Sequence, residues 1–390
     1  MSEAAAKPYV APVLRRRLTA LTYLAIATAV AVVLAIMAVW LRASSVEPAF
    51  RHQLLFPALA AKANDVATIL VESKTAAFSV TKNAEGHWVL PGKSGYTADV
   101  DLVRKTIIAL SELEAVDQRT ARPDWHERLG LGLPKNGGTG TIVTLKDSQG
   151  AVLASLVSGQ TVEGVAAAGN TAIYARRPDE NQTYVALGSY APQADQSQWL
   201  NKTFLDIARD RVKSVAMKPL KGQPFSVARA KSTDRNFVVG EQLPRGRILR
   251  TEAEPNGVGN AMVGMTFDDV ARAESLDFAN AAHATYVTFD GLTLNVSAVE
   301  KDHDFWITMN AVANPPPATP APAPPPGTPA PDAALKPDVA KEAAELNRMT
   351  AGWAFKVPRY KGVLVTAALE DLLKPVGGAT PPPGPSPTEQ

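Results

Sequence analysis

Histidine, aspartate and glycine are the residues of this chain whose spacing comes nearest to that of a chemical site. The five histidines share no spacing typical of ligands to a single zinc ion; they are His52, His87, His126, His283 and His303. The densest cluster of titratable groups is Asp302-His303-Asp304. It falls where a turn between two strands is expected, so we interpret it as a solvated turn.

The glycine-rich stretch Gly137-Gly138-Thr139-Gly140 resembles a phosphate-binding loop. Such a loop must open onto the N-terminus of a helix, whereas this one precedes a predicted strand at Thr141. The sequence also contains no P-loop, no serine-hydrolase elbow and no His-Glu-x-x-His pair. We therefore assign no catalytic, cofactor-binding or metal-binding residue, and we expect a protein that is not an enzyme. An envelope hydrolase is kept in reserve.

Three further groups are candidates for recognition surfaces. Trp125-His126-Glu127-Arg128 is either an exposed aromatic patch or a core tryptophan with its neighbours, and the core interpretation is favoured. Trp199-Leu200 is expected to form the edge of a short helix packed on the second β-rich unit. The basic strip formed by Arg245, Arg247 and Arg250 is expected to be a solvated face of mixed charge.

Composition excludes several classes of protein. The 390 residues include 40 basic and 38 acidic side chains, a net charge of +2, which gives no strong field for nucleic acid. Cysteine is absent, so disulfides, thiolate metal sites and cysteine nucleophiles are excluded. Apolar residues make up 46% of the chain, which is enough to bury a substantial core.

The strongest pattern is an uncharged apolar segment at residues 18–41, which we predict to be a transmembrane helix in contact with the lipid bilayer. Lys7 and Arg15–Arg17 precede it, so the positive-inside rule predicts a cytoplasmic N-terminus and a periplasmic body in a bacterial inner membrane. A cleaved signal peptide is the alternative. The length of the apolar run favours an uncleaved anchor, and Trp40-Leu41-Arg42 at its end interrupts any small-x-small cleavage site.

Beyond the anchor, alternating apolar residues predict three β-meanders, each followed by a helix. These units cover residues 66–113, 212–278 and 284–350, the last with its Pro-rich insert removed. Asp99 is the expected N-cap of the first helix, and Thr266-x-x-Asp269 has the form of a capping box for the second. A strand at Trp353–Val357 and a helix from about Tyr360 to Leu373 follow. The predicted fold class is therefore α+β, with tandem antiparallel meander-plus-helix units behind one transmembrane helix.

The sequence divides into eight segments. They are a cytoplasmic N-terminus (1–17), the transmembrane helix (18–41), a juxtamembrane linker (42–65), a first α+β unit that includes two hairpins (66–190), second and third β units (191–313), a Pro/Ala-rich insert (314–337), a C-terminal helix-strand-helix (338–374) and a disordered tail (375–390).

Several motifs resemble the domain-of-unknown-function 4340 family of bacterial membrane-anchored proteins. They are Leu54-Leu-Phe-Pro57, Gly86-His-Trp88-Val-Leu90, Ala98-Asp99, Trp199-Leu200-Asn201-Lys202 with Leu205, and Trp353-Ala-Phe355-Lys-Val-Pro358-Arg-Tyr360-Lys361. The resemblance extends over residues 18–374 apart from the insert. Some members are encoded beside ABC-type export permeases or are related to auxiliary subunits of gliding-motility transporters, and no catalytic residue carries over.

The resemblance implies an accessory or scaffold subunit of an ABC-type export system, with an integral membrane partner such as a permease. The tandem β-rich units and aromatic residues leave a second hypothesis open, an envelope module that binds glycan, lipid or peptide.

Overall fold

A computed structural model of the protein describes residues 12–44, 50–165, 170–202, 207–314 and 338–376. Within these ranges the α-helices are α1 (Pro12–Ser44), α2 (Leu59–Lys62), α3 (Val100–Ser111), α4 (Pro255–Gly259), α5 (Val339–Thr350) and α6 (Arg359–Thr366). Most of the remaining regular structure is antiparallel β-sheet. The fold is therefore α+β, and an apolar helix precedes the sheets in the chain.

The first half of the chain forms a ten-stranded antiparallel sheet. Its strands are β1 (Gln53–Leu54), β2 (Val66–Glu72), β3 (Ala77–Lys82), β4 (Trp88–Leu90), β5 (Tyr96–Thr97), β6 (Glu114–Gln118), β7 (Thr141–Asp147), β8 (Val152–Thr161), β9 (Thr171–Arg176) and β10 (Tyr184–Gly188). They lie in the order β1-β6-β10-β9-β8-β7-β2-β3-β4-β5, so β1 and β5 are the two edges.

The second half forms an eight-stranded antiparallel sheet and a small two-stranded one. The strands are β11 (Val212–Lys218), β12 (Phe225–Ala228), β13 (Val238–Val239), β14 (Arg247–Leu249), β15 (Asp269–Arg272), β16 (Ala282–Thr288), β17 (Leu292–Lys301), β18 (Asp304–Ala313), β19 (Trp353–Val357) and β20 (Leu373–Pro375). The larger sheet has the order β13-β12-β11-β16-β17-β18-β19-β15, and β14 pairs with β20.

The two large sheets repeat one topology. Eight neighbouring strands of the first sheet, β4-β3-β2-β7-β8-β9-β10-β6, correspond in order to the eight strands of the second. In every case the counterpart is the strand nine places later along the chain. We call residues 66–188 (β2–β10) the first repeat and residues 212–357 (β11–β19) the second repeat.

Details of the pairing support this correspondence. The register between β2 and β7 shifts between Val66 and Thr68, and the register between β11 and β16 shifts between Val212 and Ser214. In each strand the shift falls between the first and the third residue. In both β2 and β11 the buried positions are the first, fourth and sixth. A shared irregularity in the same register indicates duplication of a whole sheet and not a chance similarity between meanders.

The predicted meanders are confirmed, but they belong to two repeats and not to three separate units. The strands at 66–90 and 212–239 open the two repeats. The third meander, at 282–313, continues the sheet of the second, because β16 pairs with β11. It is therefore the counterpart of β7–β9. The Pro-rich insert lies outside the described residues, between β18 and α5.

The prediction of a helix that begins at Thr266-x-x-Asp269 was wrong. Residues Asp269–Arg272 form strand β15, which pairs with Trp353–Lys356 of β19. A capping pattern is a local signal, and this partner lies more than 80 residues away along the chain. The final helix is also shorter than predicted, because α6 ends at Thr366 and is followed by a 3-10 turn at Leu369–Leu372 and by β20.

Aspartate side chains cap the helices α3 and α5, and of these two caps only the first was predicted. The Asp99 carboxylate accepts hydrogen bonds from the backbone N–H groups of Asp101 and Leu102 at the start of α3, as predicted. Asp338 caps α5 in the same way. Asn347 of α5 then joins the helix to the second sheet, since its side-chain amide exchanges two hydrogen bonds with the backbone of Ala311.

Candidate functional site

The apolar helix is the first candidate, because it has no protein core to cover it. Its segment Thr19–Trp40 is 22 residues long, and none of it is buried against the described chain. At about 1.5 Å per residue this segment measures about 33 Å, close to the hydrocarbon thickness of a bilayer. Tyr23 and Trp40 lie near its two ends and are 74% and 71% exposed. Among the residues that the structure describes, one helix, near the N-terminus, is long and apolar enough to span a membrane.

The segment that follows this helix forms β1, one edge strand of the first sheet. Strand β1 pairs with β6, and Leu55 donates its backbone N–H to the carbonyl of Leu113. Arg177 donates to the carbonyl of Leu55 at 2.6 Å and lies over the ring of Phe56. The β1 edge is therefore where the body of the protein meets the segment that leads from α1.

The five histidines are dispersed over the described structure. His52, His87, His283 and His303 are exposed, and His126 is buried with its Nε2 atom 2.9 Å from the carbonyl oxygen of Asn181. Within residues 12–44, 50–165, 170–202, 207–314 and 338–376, no three His, Asp or Glu side chains are grouped so that they could hold a metal ion.

Asp302-His303-Asp304 lies at a turn, as predicted. Asp302 and His303 link β17 to β18 and both have left-handed backbone angles, with φ of 53° and 68°. Two consecutive left-handed residues are the geometry of a tight hairpin turn. The backbone carbonyl of His303 accepts a hydrogen bond from Arg359. The cluster is thus explained by the turn.

The glycine-rich stretch also leads into a strand, as expected. It precedes β7 and packs closely on the backbone of Gly132; a Cβ built on Gly138 would lie 2.3 Å from the carbonyl carbon of that residue. Gly140 donates its N–H to the Gly132 carbonyl. Close approach of two backbone segments accounts for these glycines.

Two interpretations of tryptophans need correction. Trp125 is not a core residue; its side chain is 41% exposed, and the buried member of its motif is His126. Trp199 does end a short 3-10 helix, but its contacts lie in the first repeat, where its ring meets Phe78 at a centroid distance of 6.2 Å. Its carbonyl also accepts the N–H of Asp99. The basic strip at residues 245–250 is exposed, as predicted.

Sequence reasoning missed a cleft between the two repeats, which we call the inter-repeat cleft. It encloses about 630 Å³ and is lined by Thr75, Ala76, Lys93, Ala194, Asp195, Gln196, Ser197, Asp268, Asp269 and Lys356. Lys93 of the first repeat is 2.6 Å from the Asp269 carboxylate of the second. Residues 176 positions apart in the chain meet here. No local pattern could have indicated that pairing.

Four of the charged side chains in the cleft, Lys93, Asp195, Asp269 and Lys356, have an ion-pair or hydrogen-bond partner in the protein. Lys356 forms an ion pair with Asp304 at 2.7 Å, and this hydrogen bond raises the pKa of Lys356. Hydrogen bonds from Ser197 hold the pKa of Asp195 below its usual value. A general base needs a carboxylate free to accept a proton near neutral pH. Paired groups of this kind are better suited to holding a polar ligand or another protein surface than to proton transfer.

Behind the cleft, aromatic rings seal the contact between the repeats. Tyr96 of β5 meets the ring of Trp353 edge-on at a centroid distance of 4.9 Å, and it also contacts Phe267 and Phe355. Burial raises the pKa of Tyr96 to about 12. Arg272 lies 3.9 Å from the centroid of Trp353 and donates to the carbonyl of Ser94. The two repeats are thus joined through the β5 edge of the first sheet and the β15–β19 edge of the second.

These features define a class of protein, a duplicated α+β body that follows one helix able to cross a membrane. The chain belongs to the family described as Domain of unknown function (DUF4340), whose model matches residues 88–290, just over half of the chain. The matched region begins at β4 of the first repeat and ends after β16 of the second. No match was found among curated proteins or among solved structures.

Proposed function

We propose that the protein is a single-pass component of the bacterial inner membrane, with a cytoplasmic N-terminus, that serves as a non-enzymatic accessory or scaffold subunit of an ABC-type export system. The observation that carries the proposal is the strand order of the first sheet. The chain arrives from the apolar helix at β1, and the second repeat docks at β5, the opposite edge. Ten strands at about 4.8 Å spacing extend over about 40 Å. Such a body reaches outward from its anchor.

The charge distribution supports the orientation. Lys7 and Arg15–Arg17 precede the apolar helix, and short basic segments remain on the cytoplasmic side. A reporter active only outside the cytoplasm, fused after Glu389, is expected to be active. A signal from a cytoplasm-only reporter at that position, or a mature protein that begins after Trp40, would contradict the proposed anchoring.

The partnership is tested by exchanging the helix. Replacing residues 18–41 with an unrelated apolar helix is expected to reduce co-purification of a permease in mild detergent while the body stays folded. Deletion of residues 315–331 is the control, because it alters a segment more than 270 residues after the helix in the sequence. Full recovery of the permease with the exchanged helix would place the contact on the body, and recovery of no permease with the native chain would refute the accessory role.

The inter-repeat cleft favours a second function, binding of an envelope glycan or peptide. Its lining of carboxylate, amide, hydroxyl and ammonium groups suits a polar ligand better than a lipid chain. Thr75 is an exposed residue of the cleft lining, so the larger side chain of Thr75→Trp would fill the cleft. Binding of soluble cell-wall fragments is measured by calorimetry. If the wild-type protein binds them, Thr75→Trp is expected to lose that binding. Val238→Trp, at an exposed residue of β13, is expected to keep it.

A further inference from the structure

The loop between β6 and β7, residues 119–140, belongs to the first repeat only. The corresponding connection in the second repeat, residues 273–281, is less than half as long. The longer loop contains three 3-10 turns, at Pro123–Trp125, Glu127–Leu129 and Pro134–Asn136. We call residues 119–140 the β6–β7 loop.

This loop is held firmly against the body. His126 is buried against the carbonyl of Asn181, and Arg176, which is also buried, donates from Nε and Nη2 to the carbonyl of Leu131. Thr120 donates its N–H to the hydroxyl of Thr183. The loop is thus a fixed platform, and the side chains at its tip have a defined position.

The tip presents an aromatic ring with arginines around it. Trp125 is 41% exposed, and the guanidinium groups of Arg122 and Arg128 lie 5.9 and 5.1 Å from its ring centroid. Arg122 is paired with Asp124 at 2.7 Å, and this hydrogen bond lowers the pKa of that carboxyl. Tryptophan and arginine are among the side chains that favour the boundary between lipid and water, because each combines apolar surface with polar groups.

The connection to the apolar helix limits how far this platform lies from the membrane. Helix α1 ends at Ser44, and the described chain resumes at Phe50; six residue steps reach at most about 21 Å. The ring of Phe50 contacts Tyr184 at a centroid distance of 6.0 Å, and Tyr184 pairs with Gln118, the last residue before the loop. The end of the sheet that carries the loop is therefore the end tethered to the helix.

We propose that the β6–β7 loop rests on the phospholipid headgroup surface, with Trp125 in the interface and Arg122 and Arg128 on lipid phosphates. This inference depends on the membrane anchoring proposed above. The contact gives the body a second point of attachment, which fixes its tilt relative to the bilayer. A lipid surface is the proposed occupant because, with the helix in the membrane, a tether of at most about 21 Å keeps this end of the sheet close to the bilayer.

The natural absence of cysteine allows single-site labelling of the full-length protein. Ala121→Cys, Val238→Cys and Ala31→Cys variants would each carry an environment-sensitive fluorophore in vesicles of phosphatidylcholine and phosphatidylglycerol. Ala121 is exposed in the β6–β7 loop, Val238 is exposed on the remote edge of the second repeat, and Ala31 lies in the middle of the apolar helix. Quenching is measured with lipids spin-labelled near the headgroup or deep in the acyl chain.

Headgroup-labelled lipid is expected to quench the fluorophore at residue 121 several-fold more strongly than at residue 238. Adding Trp125→Glu to Ala121→Cys is expected to abolish that difference, while Trp125→Tyr retains most of it. Equal quenching at 121 and 238, or a label at 121 shielded from both water and lipid, would overturn the proposed lipid contact. Absence of deep-lipid quenching at residue 31 would instead overturn the anchoring itself, so the two failures are distinguishable.

Discussion

Lys93 Nζ of the first repeat lies 2.6 Å from Asp269 Oδ1 of the second, and both side chains are largely shielded from solvent. This ion pair crosses the boundary between the repeats beside the hydrogen bond from Arg272 to the Ser94 carbonyl. Charge and aromatic contacts therefore act on the same boundary between the repeats.

The first prediction concerns that ion pair. Lys93→Ala and Asp269→Ala are each expected to lower the free energy of unfolding by about 1 kcal/mol, and the double variant by less than the sum. Chemical denaturation in low and high salt measures this coupling, which is expected to fall as salt screens the charges. Strictly additive effects would mean that the two charges do not interact in solution. Arg104→Ala, which removes an exposed ion pair with Asp101, is the matched control.

A second prediction concerns the contact of Gly362 in α6 with Phe305 in β18. A Cβ built on Gly362 would lie 2.1 Å from Phe305 Cγ. Although alanine is normally the better helix former, Gly362→Ala is expected to destabilise the protein by roughly 2–3 kcal/mol through overpacking. Gly92→Ala, whose new Cβ would meet only the end of the Gln196 side chain at 3.0 Å, is the control for denaturation measurements. A stabilised Gly362→Ala variant would contradict the packing described.

The third prediction concerns Lys361, which is 7% exposed and donates from Nζ to the carbonyls of Ala261 and Val263. Burial lowers its pKa. Because the unfolded state then binds the proton more strongly, this group lets stability rise with pH between its folded and unfolded pKa values. The stability of wild type relative to Lys361→Met is expected to increase as pH is raised from neutral toward 10.5, the unperturbed value. A constant difference over that range would refute burial of the charge.

The fourth prediction compares two tryptophans. Trp88 of β4 is 9% exposed and belongs to the core, whereas Trp125 is 41% exposed at a loop tip. Trp88→Ala is expected to lower the free energy of unfolding by roughly 3–5 kcal/mol. Trp125→Ala is expected to change it by less than about 1 kcal/mol, as for other exposed positions. Equal losses in the two variants would contradict their assignment to core and surface.

The fifth prediction concerns the Pro-rich insert. Deleting residues 315–331 removes no residue of the alternating apolar pattern, and shortening a loop changes stability only weakly. The variant is expected to keep a cooperative thermal transition close to that of wild type by circular dichroism. Asn347→Ala, which breaks the hydrogen bonds between α5 and Ala311, is the comparison variant and is expected to lower the transition temperature. Loss of cooperativity in the deletion variant would show that the insert packs.

Local signals carried most of what could be predicted from the sequence. Alternating apolar residues identified the main strands, and Asp99 identified the start of α3, because each feature depends on neighbours within a few residues. The pairing of β15 with β19 depends on residues far apart in the chain, so a capping pattern at Thr266 suggested a helix instead. The same limit concealed the inter-repeat cleft, where Lys93 meets Asp269.

Trp125 shows a different limit. Its residue type predicts burial on average, and no local feature distinguishes a tryptophan that packs from one that stands between two arginines. The structure reverses the assignment within a single motif, since the neighbouring His126 is the buried residue. Burial of individual aromatic residues in loops thus depends on tertiary contacts that the sequence pattern does not encode.

The shared register of the two repeats has a consequence for folding. Strand β2 pairs with β7, and β11 pairs with β16, so each pairing needs a strand that comes later in the chain. The buried positions of β2 and β11 are the same. During folding β7 therefore meets two strands of matching pattern on one chain, only one of which gives the native topology. Exchange between the repeats would produce a cross-paired, aggregation-prone species. Emergence of β2–β10 from the ribosome before β11 favours native pairing, so the order of synthesis protects this duplicated chain from mispairing between its repeats.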